Sequence, residues 1–268
     1  MYCPDSEMTP NKLISLLTDF GLQDGYVGAM HGVIYSICPE ARIVDLTHGV
    51  PPQNVEAAAF LLRAHSRYFP HGTIHVAVVD PGVGSSREII LAVDDRYFYL
   101  APDNGLLTFL QGRPGVRFYA ANNPDYWLPA VSNTFHGRDI FAPLAAHLAS
   151  GVAIEAMFRP KKQIHPLPEA EAEDAGHEIR GRVIYHDRFG NLITNISRAS
   201  VGERVPQMVL FGDELRLPLV NSYASVPVNA PLAIWGSFDY LEIAVNHGNA
   251  AQEFQAYLKK PVILKLRG

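Results

Sequence analysis

Polar clusters follow several short apolar runs of this sequence, where the strands of an α/β sheet would end. In open α/β sheets, ligand sites lie outside the carboxyl ends of the strands. The first cluster, residues 18–26, reads TDFGLQDGY and holds two carboxylates, Asp19 and Asp24, among glycines that allow close backbone approach. A carboxylate there can accept the two hydroxyls of a ribose or pair with an ammonium group. Asp24 can instead cap the following helix, and the residues alone leave both interpretations open.

The second cluster, residues 79–87, reads VDPGVGSSR and pairs an acid with a base across a Pro/Gly turn. It lacks the GxxxxGK[ST] pattern, and no GxGxxG opens a helix, so it is no phosphate-binding loop. Asp80 ends a predicted strand, and Arg87 follows after a turn that can fold it back to salt-bridge distance. The spacing by itself favours a structural Asp–Arg clamp.

The third cluster, residues 133–139, reads NTFHGRD and places His136 just before a predicted helix. The positive end of a helix dipole lowers the pKa of a neighbouring imidazole, so we expect an exposed histidine that is neutral near pH 7. The alternative is an ordinary surface or capping histidine.

The fourth cluster lies in the second half, where HDRFGN at 186–191 precedes Gly236-Ser237 and the segment LEIAVNHGN at 241–249. Phe189, beside Gly190 and Asn191, can stack on a purine ring while the side-chain amide of Asn191 binds the edge of that ring. A β-hairpin turn with a packed phenylalanine explains the same residues equally well.

Composition excludes several classes of protein. The 268 residues are 48% hydrophobic and 18% charged, which is enough apolar material for a sizeable core. A net charge of -5 argues against a nucleic-acid binder. The apolar runs fall short of the ~20 residues of a membrane helix, and the first residues lack the apolar stretch of a signal peptide. We therefore expect a soluble, cytoplasmic protein without nucleic-acid or membrane partners.

Metal and thiol chemistry also lack support in the sequence. Cys3, in a predicted tail, and Cys38 make neither a disulfide framework nor a zinc site by themselves. The HExxH, CxxC and HxH spacings are missing, and so is the GxSxG of a serine hydrolase. We expect no metal.

The elements that would position these clusters change character along the chain. An α/β domain with a mostly parallel central sheet is predicted for residues 11–165, a charged linker for 166–177, and a smaller all-β, barrel-like domain for 178–268. The predicted strands are 13–17, 43–46, 73–79, 89–93, 97–101, 178–185, 207–210, 215–220, 232–235, 241–245 and 262–266. The predicted helices are 27–37, 54–68, capped by Asn54, and 140–149.

Taken together and in order, these motifs resemble one family. They are TDFGLQDGYVGAMHGVI, IVDLTHGVPPQ, FPHGTIHVAVVDPGVGSSR, APDNGLL, SNTFHGRDIFAP, DRFGNLITNI and LEIAVNHGNAA, spread from about Leu13 to Val262. The chain resembles the S-adenosyl-L-methionine (SAM) hydrolases, or SAM hydroxide adenosyltransferases, which are related to the SAM-dependent fluorinase and chlorinase. The resemblance implies an α/β domain followed by a β-barrel, and a homotrimer that binds SAM between neighbouring subunits. It also implies that water attacks the ribose C5′ of SAM to give adenosine and L-methionine, with SAM as substrate and no cofactor.

The resemblance also implies roles for individual residues. Asp80 would hold and polarise the water, Arg87 would keep Asp80 ionised, and His136 would complete the hydrogen-bond chain, with the formal base left open. Asp19 would bind the ribose hydroxyls. The full set of implied substrate-binding residues is Asp19, Asp24, Asp187, Phe189, Asn191, Ser237, Glu242, Val245, Asn246 and His247. Among these, Asp24 and Asp187 would lie near the methionine ammonium, Ser237 near its carboxylate, and Phe189, Asn191 and the backbone of 245–247 near the adenine.

Two alternative functions remain. The first is halogenation at C5′, but the halogenases carry a tyrosine at the place of Asp80 and lack the histidine of TFHGRD. An anionic Asp80 would also repel a halide. The second is a non-catalytic protein that binds adenosine or SAM.

Overall fold

A computed structural model describes residues 8–168, 171–212, 215–255 and 257–267. Cys3 lies outside these residues. The chain divides into two compact units, the first of which ends at Pro168. In the described stretches, no helix is both long enough and apolar enough to cross a membrane.

The first unit is built on a seven-stranded sheet in the order β2-β1-β3-β5-β4-β6-β7. Its strands are β1 (Leu13–Thr18), β2 (Arg42–Thr47), β3 (Ile74–Val78), β4 (Ile89–Val93), β5 (Phe98–Pro102), β6 (Arg117–Ala121) and β7 (Phe158–Lys161). The pairings β2–β1, β1–β3 and β3–β5 are parallel, whereas β5–β4, β4–β6 and β6–β7 are antiparallel. The prediction of a mostly parallel sheet is therefore wrong, and the sheet is mixed. The physical reason is that the short turn at Asp94-Asp95 can join β4 to β5 only as an antiparallel hairpin.

Helices cover this sheet. They are α1 (Tyr26–Ile37), α2 (Val55–Ser66), α3 (Ala142–Ala149) and α4 (Ile154–Met157), with a π-helical turn at Gly137–Phe141 and 3₁₀ turns at Thr108–Leu110 and Pro124–Tyr126. Asn54 caps α2 as predicted, since its Oδ1 accepts a hydrogen bond of 2.9 Å from the Ala57 amide. The suggested cap by Asp24 is wrong, because Gly25 occupies the cap position of α1 without a side-chain bond. Strands β1, β3, β4 and β5 are buried along their whole length, as continuous apolar runs predict.

Over its described residues, the second unit is a nine-stranded, barrel-like sheet. Its strands are β8 (Glu173–Asp174), β9 (Glu178–His186), β10 (Leu192–Ser197), β11 (Val205–Phe211), β12 (Leu215–Leu217), β13 (Leu219–Val220), β14 (Pro231–Trp235), β15 (Tyr240–Val245) and β16 (Pro261–Arg267). The order is β12-β11-β16-β9-β10-β15-β14-β13, with β8 on β9. Short helices α5 (Arg198–Val201) and α6 (Ala250–Glu253) and a 3₁₀ turn at Tyr223–Ser225 complete it.

The ends of this second sheet meet at Pro218. The first and last strands of the order, β12 and β13, are separated along the chain by Pro218 alone. Because proline has no backbone N–H to donate, it interrupts the single strand predicted at 215–220. The interruption lets the chain leave one edge and join the other, which nearly closes the barrel.

Gly84 lets two loops of the first unit come together. It lies between β3 and β4 with a φ of +78°, and a Cβ there would be 2.4 Å from the carbonyl oxygen of Asn133, in the loop before α3. These loops carry Asp80 and His136, so their contact depends on a residue without a side chain.

We expect Gly84→Ala to lower the free energy of unfolding by about 3 kcal/mol, because backbone strain and a steric clash add together. Gly112→Ala is the matched control, since Gly112 has a φ of +72° and a Cβ added there would meet nothing within 4 Å. This control should lower the free energy of unfolding by only ~1 kcal/mol. Urea unfolding of both variants measures the difference, and equal losses would show that the contact with Asn133 is unimportant.

Candidate active site

A cavity of about 450 Å³ lies in the first unit, at the carboxyl ends of neighbouring parallel strands. Its lining includes Asp19 after β1, Gln53 after β2, Asp80 after β3, and His136 before the π-helical turn. The order β2-β1-β3 places these strand ends side by side. Two residues of the predicted catalytic set therefore share one cavity with Asp19, the predicted ribose-binding carboxylate.

Arg87 joins the other two residues of the catalytic set. Its Nε donates to both carboxylate oxygens of Asp80, at 2.9 and 2.8 Å, and its Nη2 also donates to Oδ2. The same Nη2 lies 2.9 Å from His136 Nδ1. The side chains of Arg87 and Asp80 are only 9% and 5% exposed. The Asp80–Arg87 salt bridge that the spacing favours is present. Asp80 also lines the cavity.

The contact with Arg87 fixes the proton on His136. A guanidinium has only donors, so Nδ1 of His136 must accept, and the proton of the neutral ring sits on Nε2. Burial of the ring, followed by the charge of Arg87, lowers the pKa of His136 despite the opposing carboxylates of Asp80 and Asp139. The predicted direction is correct. The ring, however, is half-buried rather than exposed, and burial is the main cause of the shift.

Asp19 is held by the loop after β2. Its Oδ2 accepts a hydrogen bond of 2.8 Å from the backbone N–H of Gln53, which has a φ of +62°. Asp24 is exposed and does not line the cavity. Sequence reasoning missed Gln53, because a backbone donor leaves no side-chain signature.

An aromatic wall bounds the same cavity. Phe20, Tyr26 and Phe135 line it, and their ring centroids are 5.0 to 6.0 Å apart. Tyr26 and Phe135 meet edge to face at 5.0 Å. Such pairs stabilise one another beyond the area they bury, and the three rings form an apolar surface beside the polar residues.

In the second unit, Asp187 closes a tight turn that presents Phe189. Asp187 Oδ1 accepts the backbone N–H groups of Phe189 and Asn191, each at 2.9 Å, and Oδ2 accepts the Asn191 side-chain amide at 3.0 Å. Gly190 has a φ of +86°. Phe189 is 76% exposed, so the alternative of a packed phenylalanine is wrong. Its ring is available for stacking.

Glu242 is a buried carboxyl group near this turn. It is 8% exposed, and burial followed by the charge of Asp187 raises its pKa to about 7, although a hydrogen bond from Tyr223 opposes the shift. A Cβ on Gly236 would lie 1.7 Å from Glu242 Oε1, so the carboxyl group lies against the backbone that leads to Ser237. Tyr223, whose hydroxyl is 3.5 Å from Asn191 Nδ2, is a neighbour that sequence reasoning missed. Its only sequence signal is an aromatic residue in a polar segment.

Of the remaining predicted residues, Val245, Asn246 and His247 lie at the end of β15, whereas Ser237 lies in the turn before its beginning. Val245 ends the strand and accepts from the Gly248 N–H at 3.0 Å. Asn246 is buried and donates through Nδ2 to the Val226 carbonyl at 2.8 Å. His247 is exposed with a φ of +56°, and Ser237 is exposed. Among the described residues, no group of three or more His, Cys, Asp or Glu side chains could hold a metal ion.

Comparison with known proteins identifies the relatives of this chain. Two family models, described as the SAM hydroxide adenosyltransferase N-terminal and C-terminal domains, match residues 14–158 and 181–263. A protein of Thermus thermophilus named (R)-S-adenosyl-L-methionine hydrolase is 41% identical over 252 residues, covering 89% of this chain and 94% of its own. One of Salinispora tropica with the same name is 37% identical, covering 91% and 94%. A fluorinase of Nocardia brasiliensis is more distant, at 28% identity over 90% and 93%.

Two solved structures are also similar. An uncharacterized conserved protein from Thermotoga maritima superposes with a TM-score of 0.84 at 35% identity, covering 94% of this chain and 99% of its own. A conserved hypothetical protein from Thermus thermophilus superposes with a TM-score of 0.77 at 36% identity, covering 97% and 100%.

The raised pKa of Glu242 predicts a pH-dependent stability. A carboxyl group whose pKa is higher in the folded protein stabilises the fold while it is protonated, and this contribution is lost as the pH rises toward about 7. Relative to Glu242→Gln, which stays neutral, the wild type should lose about 2.5 kcal/mol more between pH 5 and pH 8. Urea unfolding of both proteins at the two pH values measures this. Parallel losses would mean that Glu242 titrates normally.

Proposed function

The chain belongs to the SAM hydroxide adenosyltransferase family, and from this premise we propose how its residues carry out the reaction. The protein is an enzyme that hydrolyses SAM to adenosine and L-methionine. The observation that carries our assignment is the chain of contacts from Asp80 through Arg87 to His136, at a cavity that also holds Asp19.

We further propose that the substrate is the epimer with R configuration at sulfur. Relatives at 36 to 41% identity are named (R)-S-adenosyl-L-methionine hydrolases. In that name, L specifies the amino-acid carbon and adenosyl specifies the ribose, so R describes the remaining stereocentre, the sulfonium sulfur.

The sulfonium drives the chemistry. Water attacks the ribose C5′, the new C5′–O bond forms, and the C5′–S bond breaks with its electron pair going to sulfur. The neutral thioether of methionine is a good leaving group, so the proposed reaction needs no cofactor. Water is a weak nucleophile, and the site must orient it in line and accept its proton.

Asp80 is the group suited to accept that proton. Arg87 has only donors, and His136 Nδ1 already accepts from Arg87 while its Nε2 carries the ring proton. Asp80 lines the cavity, and its carboxylate has lone pairs beyond those used by Arg87. Arg87 fixes the carboxylate through a bidentate contact, and neutral His136 holds Arg87 in place.

The other residues would bind the two ends of SAM. Asp19 would accept the ribose hydroxyls in the first unit. In the second unit, Phe189 would stack on the adenine beside Asn191 and the backbone of 245–247. The methionine end would meet the residues with acidic or hydroxyl side chains, namely Asp24, Asp187, Ser237 and Glu242.

We propose that a homotrimer assembles this site, with the first unit of one subunit facing the second unit of its neighbour. The resemblance supports this, because the ribose and water residues all belong to one unit and the adenine residues all belong to the other. A cytoplasmic location stays a prediction from the sequence.

Halogenation fits the cavity less well. Asp80 brings a carboxylate to the cavity wall, where a halide ion would be repelled. The fluorinase relatives are also more distant than the hydrolases.

Product analysis tests the reaction. We expect the protein to convert (R)-SAM to adenosine and L-methionine faster than it converts the S epimer, and to place ¹⁸O from labelled water on the adenosine 5′ carbon. Chromatography with mass spectrometry detects the products. S-adenosylhomocysteine, a 5′-halogenated nucleoside or unlabelled adenosine would refute the proposal.

Substitutions test the assignment of the base. Asp80→Asn should lower kcat by about 10²- to 10⁴-fold, because it removes the proton acceptor. His136→Asn keeps a side-chain acceptor for Arg87 and leaves the proton acceptor Asp80 in place. It should therefore lower kcat by about 10-fold or less. Asp95→Asn, in the exposed turn between β4 and β5, is the control. An equal loss in the Asp80 and His136 variants would overturn the assignment, and retained adenosine binding in both would show that the fold is intact.

A further inference from the structure

His48 is a buried histidine to which the reaction assigns no role. It follows β2, and its side chain is only 2% exposed. Its Nδ1 lies 2.8 Å from the hydroxyl oxygen of Thr18, and its Nε2 lies 3.0 Å from Asp45 Oδ1. Its backbone carbonyl accepts a hydrogen bond of 2.9 Å from the Gly21 N–H. The residue thus contacts the loop after β1 through both its side chain and its backbone.

These contacts lie on either side of Asp19. The Thr18 hydroxyl oxygen accepts the Phe20 N–H at 3.2 Å, which folds the backbone around Asp19. Gly21, bonded to His48, lies two residues beyond Asp19. The same loop that begins at His48 supplies the Gln53 N–H that binds Asp19 Oδ2. His48 therefore links the two segments that together set the direction of the Asp19 carboxylate.

A carboxylate lies within ion-pair distance of His48 Nε2. Asp45 Oδ1 lies close to His48 Nε2 and also binds His31 Nε2 at 2.9 Å. Burial raises the pKa of Asp45, but its contacts with His48 and His31 outweigh this and lower it overall. An ionised carboxylate at Nε2 favours the proton there, which leaves Nδ1 to accept the Thr18 hydroxyl proton.

The backbone of β2 is shaped to bring His48 to this position. Leu16 of β1 pairs with Asp45, but Leu17 pairs with Thr47, so Leu46 is an extra residue that forms a bulge. Bulges redirect the side chains around them and are common next to active sites. Burying an imidazole is unfavourable unless it has a polar partner, and here the hydrogen-bonded partner, the Thr18 hydroxyl, directly precedes Asp19.

We propose that His48 is a positioning residue, which acts through Thr18 and the loop after β1 to aim Asp19 at the ribose hydroxyls of the substrate. The inference rests on the proposed role of Asp19. It predicts that loss of His48 weakens recognition of the hydroxyls in particular, rather than binding of the nucleoside as a whole.

Calorimetric titration with adenosine and 2′,3′-dideoxyadenosine tests this, because the second ligand lacks the two hydroxyls. The wild type should bind adenosine at least 10-fold more tightly than dideoxyadenosine, and this factor is the affinity ratio. His48→Leu should reduce that ratio at least 5-fold while the affinity for dideoxyadenosine changes less than 2-fold. His48→Asn places an amide where Nδ1 stood and should restore most of the ratio. In turnover, His48→Leu should raise KM more than it lowers kcat.

His75→Leu is the matched control. His75 is also fully buried in this sheet, and its Nδ1 lies 2.6 Å from the Ser15 hydroxyl oxygen, but Ser15 lies in the middle of β1 rather than beside Asp19. Its variant should keep the wild-type ratio. Thr18→Val, which removes the hydroxyl and keeps the volume, should act like His48→Leu and serves if the latter fails to fold.

The outcomes distinguish the positioning role of His48 from the ribose-binding role of Asp19. If Asp19→Asn abolishes the ratio and neither His48→Leu nor Thr18→Val changes it, the positioning role is wrong. An equal loss of affinity for both ligands would likewise overturn it, since that is a general structural effect. If Asp19→Asn itself leaves the ratio unchanged, the proposed role of Asp19 fails first.

Discussion

The contact of one guanidinium with both Asp80 and His136 is the interaction on which this site depends. Arg87 bonds to both oxygens of Asp80 and donates to His136 Nδ1. Because a guanidinium has no acceptor, this geometry sets the tautomer of His136 and leaves Asp80 as the proton acceptor. The position of Arg87 therefore determines the roles of both Asp80 and His136.

The fold serves to hold that arrangement in place. Strands β2, β1 and β3 are parallel neighbours, so the loops that follow them meet at one edge. Gly84 lets the loop of Asp80 touch the loop of His136. The loop after β2 reaches back to bind Asp19. The antiparallel half of the sheet, β4, β6 and β7, extends the core without contributing a predicted site residue.

The parts that could be predicted from the sequence are those with a local signal. Strands β1 and β3 were predictable because both are continuous apolar runs, and Asn54 was predictable as a cap. Strand β7 was missed because FRPK has no apolar alternation. The sheet is mixed rather than mostly parallel in part because the Asp94-Asp95 turn joins β4 to β5 as an antiparallel hairpin. The site shows the same division. The Asp80–Arg87 pair lies within one turn, whereas the link from Arg87 to His136 spans 49 residues, so that no local spacing predicts it and only the family resemblance implied it.

The protonation of His136 tests the account most directly. Nitrogen-15 NMR of the ring distinguishes a protonated from an unprotonated Nδ1 and gives the pKa of the residue. The account predicts a neutral ring at pH 7 with the proton on Nε2, and a pKa that is lower than the ordinary value and rises when Arg87 is replaced by Met. A proton on Nδ1, or a charged ring at pH 7, would contradict the contact with Arg87 and with it the assignment of Asp80 as the base.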